Sequence, residues 1–459
     1  MKIVNVDIAI VGAGSAGMSA YKSALKHTSK ILVIESGPYG TTCARVGCMP
    51  SKLLIAAAEA AHSVEFAQAF GVNVEAMHLD GTAVMERVRR ERDRFVGFSV
   101  ETVESWPEEH RLRGHARFLD DRTLQVDDHT HVVAQRIILA TGSHNYVPQE
   151  WRRSIGDRLI VNDDVFSWEK LPKSVAVLGA GVVALELCQA LSRLGVRVRM
   201  YGRGNRIGPL SDPALQALTL QIFDNELPLR MRAKDVSLTR DGDEVIVRSG
   251  NDAERFEYVL AASGRKPNLD RLDLLKTSLP IDENGCLVFD PETGRVGESN
   301  VFVAGDITNE LTVLHEAVDL GRIAGENAGR YPNTKHTTRR TPMTIVFSDP
   351  QIMMVGKTHE ELIESKSDFS IGTVSFANQG RSRVMLKNRG ALHLYAENST
   401  GRLLGAEMVG PSAEHIAHLL AWSIQRGDTV QGMLEYPFYH PVIEEGLRTG
   451  LQNLARSLR

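Results

Sequence analysis

Two strand–glycine turn–helix units, with their turns near residues 12 and 179, and a β-rich last third predict an α/β chain. The prediction is two Rossmann-like dinucleotide-binding domains followed by a C-terminal α+β domain. The 459 residues suit about three domains. A hydrophobic share of 42% and a charged share of 24% describe an ordinary globular protein with ample core. The net charge of −4 gives no reason to expect nucleic acid or an anionic membrane as partner. Four cysteines in this length are no disulfide framework, so a cytoplasmic setting is expected. Residues 1–7 lack the apolar stretch of a signal peptide, and no run is long enough to span a bilayer.

In chain order, Val6–Val11 is a buried strand that runs into Gly12-Ala13-Gly14-Ser15-Ala16-Gly17 and a helix over Met18–His27. Strand Lys30–Ile34 ends in Glu35. The glycine pattern alone is weak, but strand, helix and acid at this spacing predict a dinucleotide site. Gly12 makes the tight turn, Gly14 lets backbone N–H groups approach a pyrophosphate, and Gly17 packs helix on strand. Glu35 accepts from ribose hydroxyls. A plain βαβ unit without nucleotide is the alternative.

The stretch Gly40–Leu54 carries the chemistry. Cys43 and Cys48 lie five residues apart, and Pro50 suits a first helical position ahead of strong helix formers. Cys48 is thus expected at a helix N-terminus, where the positive end of the dipole favours a thiolate. Cys188 and Cys286 are too distant in sequence to complete a zinc set, and no metal is expected. A redox-active dithiol is the reading. A structural disulfide is the alternative, although so small a loop gains little chain entropy.

Residues 53–110 read as mainly helical, and the alternating charges of Met85–Arg94 suit a solvated face. A β region starts at Gly114-His115-Ala116, with His115 at a turn or edge. Arg136–Ser143 is a buried strand stopped by a loop containing Gly142. The loop through Pro148, Trp151 and Gly156 marks the first domain boundary. Ser174–Leu178 opens the second unit, leading into Gly179-Ala180-Gly181 and a helix with Ala184, Glu186 and Cys188. Its next strand, Val196–Tyr201, ends in Gly202-Arg203-Gly204-Asn205-Arg206 where an NAD-type unit has an acid. Gly202 leaves room for a 2′-phosphate and Arg203 pairs with it, so NADP(H) is slightly favoured over NAD(H). The alternative is that these arginines decorate a surface loop. Tyr258–Asn268, with Gly264, closes the unit.

Asn300–Asp306 is another strand ending in an acid, and a helix starts at Leu314-His315. Near the end, His440 precedes Glu445 by five residues around Pro441. This is a general base with its orienting acid, or an ordinary His–Pro turn.

Together these motifs resemble the FAD-carrying pyridine nucleotide–disulfide oxidoreductases over essentially the whole chain. The run Cys43–Lys52 resembles dihydrolipoamide dehydrogenases and mercuric reductases most. The resemblance implies an FAD-binding domain at 1–150 and 265–335, an NAD(P)-binding domain at 151–264 and a dimerisation domain at 340–459. It implies FAD held by Gly12, Gly14, Gly17, Glu35, Thr42, Ala116, Gly142, Asp306, Leu314 and His315. A nicotinamide dinucleotide would lie against Gly179, Gly181, Arg203 and Gly264. Cys48 becomes the sulfur nearer the flavin and Cys43 the one that exchanges with an outside disulfide. His440, oriented by Glu445, becomes the acid–base, and Lys52 pairs with Glu186 near the flavin N5.

The family also implies a homodimer in which His440 reaches the partner subunit's cysteines, and a small dithiol or disulfide as substrate, lipoyl groups among them. The C-terminal run Leu454–Arg459 lacks the cysteine pair of mercuric reductases and the redox tail of some thioredoxin reductases. Thr41 and Arg45 replace the Gly and Asn of lipoamide enzymes, and Arg45 is expected to set a cation beside the exchanging thiol. Val182 stands where glutathione reductases carry a Tyr. The leading expectation is a dihydrolipoamide dehydrogenase-like enzyme. Its rivals are an NADPH-dependent reductase of another small disulfide and a non-enzymatic flavin redox sensor.

Overall fold

In the computed structural model, which describes residues 1–458, the chain divides into two compact units. The first comprises Met1–Leu53, Arg87–Tyr146 and Arg265–Arg339, and the second Leu54–Glu86, Val147–Gly264 and the chain from Arg340.

The first unit is built on a seven-stranded sheet. Strand Lys2–Val11 lies between Ile31–Glu35 and Thr130–Leu139 in parallel register, with Ile8 opposite Ile31 and Arg136. Val301–Val303 adds to Thr130–Leu139 in parallel, while Thr123–Val126 pairs with its other end antiparallel. Both faces are covered, which explains the continuous apolar runs. Ile8, Ile10, Ile31 and Val33 face helices Ser15–Ala24 and Leu314–Arg330, and Ala9, Val11, Leu32 and Ile34 face the opposite core. The two helices pack closely because Gly321 and Gly325 have no side chain. A Cβ at either would fall 2.3 Å from a carbonyl oxygen of the first helix.

The second unit carries a five-stranded parallel sheet, in the order Leu229–Arg230, Arg197–Tyr201, Ser174–Leu178, Tyr258–Ala261 and Leu159–Ile160. It also carries a five-stranded antiparallel sheet over Met343–Gly410, on which helices Ala413–Arg426 and Glu445–Ser457 bury their apolar faces. Glu407 of that sheet is fully buried and accepts backbone N–H bonds from Ser211 (2.6 Å), Asp212 (3.0 Å) and His359 (2.8 Å). A buried carboxylate so enclosed is satisfied by the starts of two helices.

Several boundaries differ from the sequence reading. The first helix begins at Ser15, because Gly14 is already its N-cap. Helix Cys48–Phe66 begins two residues before Pro50, which occupies the third position. The whole first turn lacks backbone acceptors, so a proline is tolerated there too. Residues 53–110 are broken by a non-helical stretch between Phe70 and Gly81. No helix among the described residues is long and apolar enough to cross a membrane.

Candidate active site

Cys43 lies in the short helix Thr42–Val46, and Cys48 is the first residue of helix Cys48–Phe66. Thr41 caps the short helix, its Oγ1 accepting from Ala44 N at 3.1 Å. Gly47 joins the two helices, and a Cβ there would lie 3.1 Å from Thr42 O and 3.3 Å from Cys43 Cα. A side chain at position 47 would thus press on the backbone that carries Cys43. Cys43 is half-buried and Cys48 exposed. A hydrogen bond to the Cys48 sulfur, then burial and the charge of Cys48, push the Cys43 thiol well above the ordinary thiol range. Cys43 is thus the proton donor of the pair and needs a base before it can exchange. The cation that works against this rise is Lys52, whose Nζ also donates to Ser51 Oγ at 3.3 Å. Arg45 lies on the same short helix, two residues beyond Cys43.

The same unit carries the first glycine motif. Gly12 takes a φ of +109°, and a Cβ there would lie 2.3 Å from Ala140 O. A Cβ on Gly17 would lie 1.9 Å from Gly12 O. Gly14 is different. It caps helix Ser15–Ala24 at an ordinary φ of −75°, and a Cβ there would meet nothing within 4 Å. The protein itself does not require glycine at this position, whereas a phosphate approaching the helix N-terminus does. Glu35 accepts from Ala13 N at 2.8 Å and from Gly37 N at 2.7 Å, which leaves further lone pairs for hydroxyl donors.

A cavity of about 460 Å³ opens between Gly12, Glu35, His115, Ala116 and Arg271. These residues fit a flavin dinucleotide: a helix-end cradle, a ribose acceptor and a chamber for the adenosine end. His115 Nε2 bonds Arg271 O at 2.9 Å and so forms part of the wall. Asn268 was not singled out by the sequence, yet it clips the rim by giving Nδ2 to Thr141 O (2.7 Å) and taking Thr141 Oγ1 on its own carbonyl (2.9 Å). Asp306 accepts from Ser143 Oγ at 2.7 Å, Gly142 takes a φ of +68°, and Thr42 is exposed. Leu314 and His315 open helix Leu314–Arg330. Gly14→Ala is expected to cost the apoprotein about 1 kcal/mol or less, as an N-cap change, and to weaken FAD binding by at least about tenfold, measured by fluorescence titration.

The second unit repeats the device. Gly179 takes a φ of +133° with its Cβ position 2.2 Å from Ala262 O, while Gly181 caps helix Val182–Arg193 facing open space. Gly264 also takes a positive φ, +112°, with nothing near its Cβ position. A Cβ on Gly202 would fall 2.7 Å from Met231 Cε, the movable end of a flexible side chain, and 3.1 Å from Ala180 Cβ. Arg203 is exposed and makes no ion pair among the described residues. Arg206 gives Nη2 to Pro209 O at 2.8 Å and lies 3.6 Å from Glu360.

In the same unit, Glu186 is buried and its Oε1 accepts from Phe347 N at 2.9 Å. His440 Nδ1 meets Glu445 Oε1 at 2.9 Å, and Val442 N donates to Glu445 Oε2 at 3.2 Å. These two bonds, the histidine's first, hold the Glu445 carboxyl below the usual carboxylate range. The His440 side chain is 79% exposed. No group of three or more His, Cys, Asp or Glu side chains among the described residues is arranged to hold a metal.

A contacting dithiol at a helix start, on a unit with a dinucleotide cradle, defines a nucleotide-dependent thiol–disulfide oxidoreductase. Residues 6–321 match the family described as pyridine nucleotide-disulphide oxidoreductase, and residues 342–450 match its dimerisation domain. The chain belongs to this family of FAD-dependent disulfide oxidoreductases. It is 30% identical over 466 residues to a mercuric reductase from Shigella flexneri, covering 99% of this chain and 82% of that protein. It is 25% identical over 455 residues to a dihydrolipoyl dehydrogenase from Geobacillus stearothermophilus, covering 96% and 94%. The solved structure of the HOCl-induced flavoprotein disulfide reductase RclA from Escherichia coli superposes with a TM-score of 0.81 at 22% identity, over 99% of this chain and 100% of that one.

Proposed function

We propose that this chain moves electron pairs between NAD(P)(H), FAD, the Cys43–Cys48 couple and a small dithiol or disulfide, in the manner of a dihydrolipoamide dehydrogenase. The observation that carries the reading is the contact between Cys43 and Cys48 at the start of a helix, with Cys43 as proton donor. FAD supplies the two-electron relay between nicotinamide and disulfide. Cys48 would be the sulfur nearer FAD, and Cys43 would exchange with the outside sulfur. His440, oriented by Glu445, takes the proton that Cys43 must give up and returns it to the leaving thiol. The N–H groups of Leu314 and His315, at the start of helix Leu314–Arg330, would favour the electron-rich edge of a flavin held there. Lys52, one turn into the cysteine helix, would tune the charge of a flavin held beside it.

The acid–base comes from a partner subunit in this reading. The exposure of Trp422 (63%) and Tyr439 (80%) in the dimerisation region supports a covered, paired state. Turnover of dihydrolipoamide against a panel of low-molecular-weight disulfides tests the substrate. Failure with dihydrolipoamide and turnover of another disulfide moves the enzyme to the second reading, an NADPH-dependent reductase.

That second reading is favoured by the exposed, uncommitted guanidinium of Arg203. A charge-assisted bond to a 2′-phosphate contributes about 1.5–3 kcal/mol, about ten- to a hundredfold in affinity. NADPH is expected to be preferred over NADH by that factor, and Arg203→Ala removes most of the preference in steady-state kinetics. NADH as the better donor in the wild type contradicts this and places Arg203 in solvent.

A further inference from the structure

The segment leading into the dimerisation region is strapped to helix Leu314–Arg330 at two points. Buried Asn327 gives Nδ2 to Lys335 O and to Thr293 O, both at 3.0 Å, and takes Lys335 N on Oδ1 at 2.7 Å. Eleven residues earlier, about three turns along the same face, buried Glu316 takes Arg339 Nη2 on its Oε2. An acid at the third helical position commonly turns back onto its own helix N-terminus; Glu316 reaches outward to Arg339 instead.

Arg339 is held on other sides as well. Its Nη1 donates to Pro291 O at 3.4 Å and lies 4.0 Å from Glu310 Oε2, while its Nε is buried without a hydrogen-bond partner. Burial pushes the Glu310 carboxyl up, with Arg339 opposing and Glu316 reinforcing the rise. One cation thus balances two carboxylates within a turn of the helix start. His315 Nε2 lies 3.9 Å from the other oxygen of Glu316. This helix start adjoins the nucleotide cradle. A Cβ on Gly305 would fall 2.9 Å from Ala16 Cβ and 3.4 Å from Ala317 Cβ, so the first turns of the two helices converge there.

We propose that Glu316 and Arg339 are positioning residues that set the field at the start of helix Leu314–Arg330 and thereby the balance between oxidised and reduced flavin. The inference rests on the reading that the electron-rich edge of the flavin is held at that helix start. Reduction adds negative charge at this edge, so a nearby cation favours the reduced form and a nearby carboxylate opposes it. A pair that is merely structural has no such sign.

The test is the midpoint potential of the holoprotein, measured by spectroelectrochemistry. Arg339→Met is expected to lower the reduced-to-oxidised flavin ratio at a fixed poise by about threefold or more, the scale of one nearby, partly screened charge. Glu316→Gln is expected to raise it by a similar factor, Arg339→Lys to leave it near wild type, and the double variant E316Q/R339M to return it toward wild type. Glu310→Gln, near the surface, shifts the ratio in the same direction as Glu316→Gln and supplies the test should a lone buried charge prevent folding. Shifts of the same sign in Arg339→Met and Glu316→Gln, or no shift in Glu310→Gln, overturn the proposal. A wild-type protein that is colourless and takes up no FAD overturns the cofactor reading beneath it instead.

Discussion

Cys48→Ser abolishes the long-wavelength absorbance that dithionite or NAD(P)H raises in the yellow holoprotein, whereas Cys43→Ser keeps or strengthens it. The band requires a thiolate against the flavin, and the two cysteines are not equivalent candidates. Cys48 opens a helix of 19 residues, where unsatisfied N–H groups favour negative sulfur. Cys43 is half-buried and gives its proton toward Cys48, so its own thiolate is disfavoured. A serine at position 43 still offers an O–H to the Cys48 sulfur; a serine at 48 leaves only the disfavoured thiol. Both variants lose disulfide turnover to background, because neither can form the internal bridge. Anaerobic absorbance spectra check this directly, and bands of equal strength in the two variants contradict the assignment.

His440→Ala leaves flavin reduction by NAD(P)H nearly intact and slows the disulfide half-reaction by about a hundredfold or more. The asymmetry follows from the high Cys43 pKa, since exchange must begin by removing that proton. The imidazole has Nδ1 engaged by Glu445, so Nε2 is the atom left to receive it. The folded-state pKa of Glu445 is depressed, so its carboxylate stays ionised at neutral pH and is protonated only as pH falls below the ordinary carboxylate range. Loss of the orienting charge therefore does not contribute to any change in rate between pH 6 and 8. Rapid mixing of the oxidised protein with NAD(P)H, and of the reduced protein with a disulfide, separates the two halves. Equal slowing of both contradicts the role.

The glycine turns were legible because their spacing recurs between a strand and a helix. Gly17 is crowded by the backbone of its own turn, at Gly12 O, whereas Gly12 is crowded by Ala140 O, 128 positions on, and Gly14 faces open space. The cysteine pair was legible as two reactive residues ahead of a helix-forming run. What escaped the sequence depends on residues that meet only after folding. Asn268 closes the rim of the cavity against Thr141, 127 positions away, and Glu316 finds Arg339 across 23. No periodicity or spacing announces either pair.

Met231, which lies beside Gly202 only after folding, was not legible in the sequence either. Gly47 stood in plain view within the motif, but its tight approach to the backbone at Thr42 and Cys43 is visible only in the folded chain.

The central claim is that Cys43 and Cys48 form a couple in electron exchange with the flavin. Anaerobic titration of the oxidised holoprotein with NADPH or NADH, with thiols counted after an acid quench, tests it most directly. The account predicts uptake of twice the reductant that flavin alone accepts, the appearance of Cys43 and Cys48 as thiols, and their loss when a small disulfide is added. Uptake that ends with the flavin, with the thiol count unchanged, would contradict it.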